Sequence, residues 1–177
     1  MNSKKITLNE TESFIKDKLP KKIERDLQHL KMVKEPDLEG CIYYHLRSFL
    51  KGDDNWRVFL GRYSYQTGHY IDILIFQKKI PRIAIELKWN KKKISLKDRK
   101  SLNKSLKKLR VNKAYFISTL TVKKPYEKIS KKILEKNRLI EISVPLNLKN
   151  DQFTRWRKER ELYRSKMNLG KKAIINK

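Results

Sequence analysis

The chain has 177 residues, and its 45 Lys and Arg against 19 Asp and Glu give a formal charge of +26. So large an excess repels itself unless a polyanion or counterions neutralise it, which puts nucleic acid first among partners and a membrane surface second. The single cysteine, Cys41, excludes an internal disulfide framework, a Cys-rich zinc site and a cysteine-held iron–sulfur cluster.

The chain holds no run of eighteen apolar residues, and Lys4-Lys5 is not followed by the apolar stretch of a signal peptide. It reads as intracellular and soluble, with no membrane partner. Its length suits one domain with appendages: a helical extension over 1–34, a core over 35–145 and a basic helix and tail over 146–177. Asn9 with Glu12 resembles a capping box and predicts a helix to about Leu19. Pro20 then interrupts, and Ile23, Leu27 and Leu30 give a second helix one apolar stripe.

The next helix begins near Pro36, with Leu38, Ile42, Leu46 and Phe49 on one face. Glu39 lies one step round from that stripe and could look into a cleft at a sheet edge. The plainer reading is a solvated acid favoured by the helix dipole, and Glu35 and Asp37 are better explained that way. Cys41 reads as a small core residue, and His29 and His45 have no Cys or His partner at ligand spacing.

Lys51 to Asn55 is a turn cluster, and Trp56 to Tyr65 alternates as a first strand, with Val58 and Leu60 on one side. Gln66-Thr67-Gly68 turns into a second apolar run, Tyr70 to Phe76. A break at Gln77-Lys78-Lys79-Ile80-Pro81 leads to a third run, Arg82 to Lys88. Three consecutive strands predict an antiparallel meander. Strand alternation puts Ile71, Ile73 and Ile75 on one face and Tyr70, Asp72, Leu74 and Phe76 on the other. In the third run Ile83, Ile85 and Leu87 oppose Ala84, Glu86 and Lys88. Asp72 and Glu86 therefore sit side by side with Lys88 next to them. Charges are costly to bury there unless something compensates them, and a hard divalent cation would do so.

Between Lys91 and Lys113 there are eleven Lys or Arg and one acid, Asp98. Ser95 caps a helix whose apolar stripe is Leu102, Leu106 and Leu109, with Lys100, Lys104 and Lys107 opposite. With Lys91, Lys92, Lys93 and Lys97 they form a phosphate-contacting surface; the alternative is an ordinary solvated face. Ala114 to Thr119 has strand length. Tyr126, Ile129 and Ile133 predict a helix over 125–137, and Leu139 to Val144 is the last strand. A final helix over 151–167 sets Arg155 and Arg157 beside Trp156, which suits backbone contact and base stacking, or plain packing on the core.

The order helix, three strands, helix, strand, with acids on the second and third strands, resembles the core of the PD-(D/E)XK nuclease superfamily. The residues carrying the resemblance are Asp72 and the triplet Glu86-Leu87-Lys88, with Glu39 on the preceding helix, within about Pro36 to Thr119. The other acid-x-Lys triplet, Asp98-Arg99-Lys100, lacks flanking strand alternation. Two features depart from the family pattern. Ile71 stands where a proline often precedes the first acid, and Lys97 to Asn103 offers no clear counterpart to the glutamine of several branches.

The resemblance implies an α/β fold with a restriction-endonuclease-like αβββαβ core around a central mixed sheet. It also implies a Mg²⁺-dependent deoxyribonuclease, with Mn²⁺ able to substitute. Asp72, Glu86 and the Leu87 backbone carbonyl would hold the metal, and Glu39 would hold it through water or hold a second ion. Lys88 would reach the attacking water or the phosphate, as electrostatic stabiliser or, if its pKa is lowered, as proton acceptor. His69, just before the motif strand, is an accessory phosphate contact or a structural residue. A compact core without a separate recognition domain favours an endonuclease selecting junctions or branches, and cutting both strands would call for a homodimer. No glycine-rich phosphate loop appears, so no nucleotide cofactor is expected. The alternative is a basic DNA- or RNA-binding protein that uses the same scaffold without cleavage.

Overall fold

The structure, a computed structural model, describes residues 5–29, 34–64, 68–89, 95–122, 128–134 and 138–147, and in the C-terminal segment 154–155, 157–159, 161–162 and 165. The chain starts with helix α1 (Leu8–Ser13), a π-helical turn (Phe14–Lys18) and α2 (Leu19–Gln28). The capping box is two residues earlier than Asn9–Glu12. Thr7 donates its N–H to Glu10 Oε2 at 2.7 Å and accepts the Glu10 N–H on Oγ1 at 3.2 Å. Glu12 is instead drawn into an ion pair with Lys113 of the sheet. Pro20 does not interrupt the run. It lacks an N–H, and its ring would crowd the carbonyl four residues back. The wider π turn absorbs both defects, and α2 starts with the proline in its first turn.

Helix α3 (Glu35–Leu50) buries Leu38, Ile42, His45, Leu46 and Leu50, so the predicted stripe is the packed face. Three strands follow, β1 (Trp56–Ser64), β2 (His69–Gln77) and β3 (Ile80–Lys88), joined as an antiparallel meander. The β2–β3 turn is Lys78-Lys79, both at positive φ (50° and 69°). Two left-handed residues match the twist of a hairpin, but lysine adopts that region at a cost that Asn-Gly would not incur. Helix α4 (Leu96–Lys108) crosses to β4 (Lys113–Val122), parallel to β3, and β6 (Leu139–Asn147) runs parallel to β4.

The expected helix over 125–137 is not what its described residues form. Ser130–Leu134 is strand β5, antiparallel to β6 at the sheet edge. Three apolar positions do not hold a helix against an open row of backbone partners on β6. Ile133 stays 52% exposed and Lys132 faces solvent, as suits an edge strand, while Lys131 pairs with Asp17 of the π turn at 2.8 Å. The result is an α/β architecture with one mixed six-stranded sheet, order β1-β2-β3-β4-β6-β5.

Each face of the sheet is covered. On one side the main core joins Phe14, Ile15, Leu19, Ile23 and Leu27 of the N-terminal helices to the α3 stripe, Ile73, Ile75, Ile83, Ile85, Leu87, Tyr115 and Ile117. The N-terminal helices are thus inside the main core. On the other side Leu102 and Leu106 of α4 pack on Leu74, Ala84, Ala114 and Phe116. Ile71 departs from the predicted alternation, because it clusters with the α4 side and not with Ile73 and Ile75. Leu60, expected beside Val58, is 42% exposed, since β1 is an edge strand and kinks at the next residue, Gly61 (φ 52°). The described C-terminal residues 154–155, 157–159, 161–162 and 165 are helical and exposed.

Candidate metal and phosphate site at a strand fork

The β2–β3 ladder runs from Gln77↔Ile80 to Ile73↔Ile85 and stops. One step further, the register would set Asp72 across from Glu86. There the strands part, β3 continuing on β4 through Glu86↔Phe116, Leu87↔Ile117 and Lys88↔Ser118. Asp72 bridges the fork: its Oδ2 accepts the Leu87 N–H at 2.6 Å, standing in for the backbone carbonyl that the ladder no longer supplies. Across β1, Gly61 lies between the Leu60↔Ile73 and Arg62↔Ile71 pairs, facing Asp72. Its positive φ suits glycine, and its N–H donates to the Glu39 carboxylate.

Acids converge on the fork from both helices. Glu35, in the first turn of α3, accepts the Trp89 N–H on Oε2 at 2.8 Å and so ties α3 to the end of β3. It is not a plain N-terminal acid. Asp98, in the first turn of α4, pairs with the Ser95 cap, donating its N–H at 3.1 Å and accepting the Ser95 hydroxyl at 2.6 Å. Lys88 Nζ lies 2.7 Å from Glu86 Oε1.

This crowding shows in the protonation of the groups. Burial, then the Asp72 charge, pushes Glu86 up to about 7, against the pull of the Lys88 ammonium, with Asp98 adding repulsion. Burial also raises Asp72, aided by Glu35 and Asp98 and opposed by the Leu87 hydrogen bond and by Lys88. Glu39 is raised by burial, then by Asp72 and Glu35, with the Gly61 N–H working the other way. For Lys88, burial favours the neutral amine, but the Glu86 hydrogen bond and the Glu86, Asp72 and Glu35 charges outweigh it, so its pKa is raised. A proton-accepting Lys88 needs the opposite shift. The arrangement suits a fixed positive charge.

The structure thus brings together Asp72, Glu86, Lys88 and Glu39, and adds Glu35 and Asp98, which sequence reasoning set aside. Leu87 contributes its N–H to Asp72, with its side chain in the core. Lys97, Lys100, Lys104 and Lys107 are exposed on α4, as are Arg155 and Arg157 on the C-terminal helical segment. Lys91, Lys92, Lys93 and Trp156 lie outside the described residues. His69 opens β2 opposite Ser64, and its side chain is likewise outside them. Trp89 Nε1, Arg99 Nε and Ser118 Oγ are buried with no hydrogen-bond partner among the described residues. Each sits beside a site residue in the chain or in the β3–β4 register, and each has a proton to donate. Tyr63 and Tyr70, paired across β1 and β2 edge to face at 5.1 Å, are both exposed two or more residues from Asp72.

A second cluster was not anticipated. Among the described residues, ligand atoms of Asp26, Cys41 and His45 all lie within 4.8 Å of one another. The readable half of that signal is Cys41 and His45, four apart on one helix, which corrects the reading that His45 has no Cys or His partner at ligand spacing. Asp26 comes from another helix, beyond the reach of spacing. No helix of the described residues is long and apolar enough to cross a membrane.

No protein-family model matches the chain, and no curated protein matches it. Among solved structures it is similar to a chain of a half-complex from the tetradecameric assembly of Thermococcus gammatolerans McrB AAA+ hexamers with bound McrC. That likeness has 9% identity and a TM-score of 0.38 over 63% of this chain. The chain spans 28% of that neighbour's length, and at this score nothing about fold or activity carries across.

Proposed function

We propose that the protein is a Mg²⁺-dependent deoxyribonuclease with a PD-(D/E)XK-type, restriction-endonuclease-like core built from α3, β1–β3, α4 and β4. One observation carries the reading. Asp72, Glu86 and Lys88 meet at a half-buried strand fork, ringed by Glu35, Glu39 and Asp98, inside a chain of charge +26. A protein that only binds phosphates gains nothing from carboxylates pressed together until burial and mutual repulsion raise the pKa values of Asp72, Glu86 and Glu39.

The donor set fits a hard divalent cation: carboxylate oxygens from separate strands, each acid raised by burial and by its neighbours. Asp72 and Glu86 would hold it, with Glu39 and the Leu87 carbonyl completing the site. When bound, the cation supplies Lewis-acid stabilisation of charge on phosphate oxygens. The protein's own residues do the rest. Lys88 holds a proton and offers a fixed positive charge to the phosphate. Trp89 Nε1 and Ser118 Oγ are buried donors beside Lys88 in the chain and in the β3–β4 register, with no acceptor among the described residues. The lysines of α4 position the backbone, and the Tyr63–Tyr70 pair supports stacking of unpaired bases, in keeping with an endonuclease acting at branches or junctions.

The test is a cleavage panel of linear duplex, single strand, flap and four-way junction with Mg²⁺, Mn²⁺ or EDTA. Cleavage is expected with both metals and none with EDTA, with branched DNA cut fastest. A second reading, binding without cleavage, is favoured by the internal Lys88–Glu86 and Leu87–Asp72 contacts, which compensate the acids without a cation. Tight binding of every substrate with no cleavage in either metal would support it. For α4, replacing Lys100, Lys104 and Lys107 together by Gln is expected to flatten the slope of log K against log salt by about 2–3, at roughly 0.9 per lost phosphate contact. An unchanged slope would take α4 off the DNA-facing surface.

A further inference from the structure

We propose that Asp26, Cys41 and His45 form a zinc site, separate from the fork acids, that clamps α2 to α3. Cys41 and His45 are one helical turn apart on α3, so their side chains lie on one face. Asp26 reaches them from α2. Its Oδ2 is 2.8 Å from His45 Nε2 and 3.4 Å from Cys41 Sγ, and the three ligand atoms are mutually within 4.8 Å. Zinc bonds of about 2.0–2.3 Å in a tetrahedron set ligand atoms roughly 3.3–3.7 Å apart. The 3.4 Å Asp26–Cys41 contact lies within that span, the Asp26–His45 contact needs to open by about half an ångström, and Cys41 and His45 are within 4.8 Å.

The setting is otherwise apolar. Helix α2 buries Leu19, Pro20, Ile23 and Leu27, and α3 buries Leu38, Ile42, Leu46 and Leu50. A carboxylate and an imidazole among them, with side chains 11% and 5% exposed, are costly to desolvate unless they are paired or hold a metal. The second oxygen of Asp26 is 3.7 Å from Arg25 Nε, while Oδ2 is the oxygen turned to His45 and Cys41. One sulfur, one nitrogen and one oxygen make a borderline donor set that selects zinc over magnesium, whereas the all-oxygen fork does the reverse. Three protein ligands leave a fourth position for water, and Cys41 is only half-buried.

Binding moves protons in a defined way. The Cys41 thiol releases its proton to solvent and ligates as thiolate. His45 presents the Nε2 lone pair with its remaining N–H on Nδ1. One proton therefore leaves per zinc bound to neutral His45, and affinity falls as pH falls.

Tag-free full-length protein titrated with Co²⁺ tests this. The expected result is a thiolate-to-cobalt charge-transfer band that saturates at one equivalent and is displaced by Zn²⁺. Zinc at a hundred times its Kd is expected to raise Tm by about 5–10 °C. Cys41→Ser should abolish the band, and Asp72→Ala should keep it, which separates this site from the fork and from the nuclease reading. If Cys41→Ser does not fold, His45→Gln and zinc protection of the native thiol against alkylation carry the test. A plain hydrogen-bonded triad predicts no band, no protection and no zinc-dependent Tm. Those results, or a band that survives Cys41→Ser, would overturn the proposal.

Discussion

Asp72→Asn is expected to lower the proposed Mg²⁺-dependent cleavage on the order of 10²–10³-fold or more while leaving duplex binding at moderate salt nearly intact. The two halves of that expectation have separate causes. On the proposed reading the carboxylate would be the ligand that β2 supplies, so losing its charge would remove the cation's hold at the fork. Binding would rest on the exposed lysines and arginines of α4 and the C-terminal segment, which the substitution does not touch. Asparagine keeps an oxygen for the Leu87 N–H and relieves the repulsion that Asp72 exerts on Glu86 and Glu39. Its Tm in EDTA should therefore equal or exceed the native value. Asp72→Ala is the contrasting variant. It loses cleavage equally but also leaves a half-buried N–H without an acceptor, at a cost of about 1–3 kcal/mol. Glu86→Ala and Lys88→Ala should lose cleavage on the same scale, measured as single-turnover rates. An Asp72→Asn protein that binds DNA and cuts at the native rate would remove the fork from the chemistry.

How the fork could be foreseen, and what could not, follows from the range of the interactions involved. Alternation is a local property, so the acids on β2 and β3 and their shared neighbourhood were legible, as were the α3 stripe and the Ser95-capped helix with Leu102 and Leu106 inward. Interactions between distant segments were not. Glu35 looks like any helix-N-terminal acid until the end of β3 brings the Trp89 N–H to it, 54 positions away. Thr7–Glu10 and Asn9–Glu12 are equivalent boxes by spacing, and the choice falls to Lys113 on β4, which takes Glu12. Strand β5 has a helix-compatible pattern, and only the open edge of β6 makes it a strand. Ile71 leaves its predicted face at the point where the β2–β3 ladder ends and Gly61 kinks β1, so period-two reasoning fails at the site itself. At the fork, backbone regularity is given up to aim side chains, and Ile71 is misread for that reason.

Glu86→Gln gives the second large effect, and its sign depends on pH. In the folded protein Glu86 titrates near 7, against an ordinary value of 4.5. Between those values the folded state binds a proton that the unfolded chain has released, so stability falls as pH rises through that window and is level above it. Each unit is worth 1.36 kcal/mol, which makes the penalty at pH 8 about 3 kcal/mol. Glutamine imitates the protonated acid and still offers Lys88 an oxygen. In EDTA, Glu86→Gln is thus expected to be about 3 kcal/mol more stable than the native protein at pH 8 and equal to it near pH 4, read from urea unfolding. Asp72 and Glu39 are raised in the same direction, but they are present in both proteins and largely cancel in the comparison. Mg²⁺ should reverse the order at pH 8. The native carboxylate exchanges its destabilising charge for a ligand bond, while the amide has no charge to offer. At pH 5 the proton already occupies the acid, and Mg²⁺ should stabilise neither protein. A Glu86→Gln gain below about 1 kcal/mol at pH 8 would mean that Glu86 ionises as it does in water. The fork would then hold no stored repulsion for a cation to relieve.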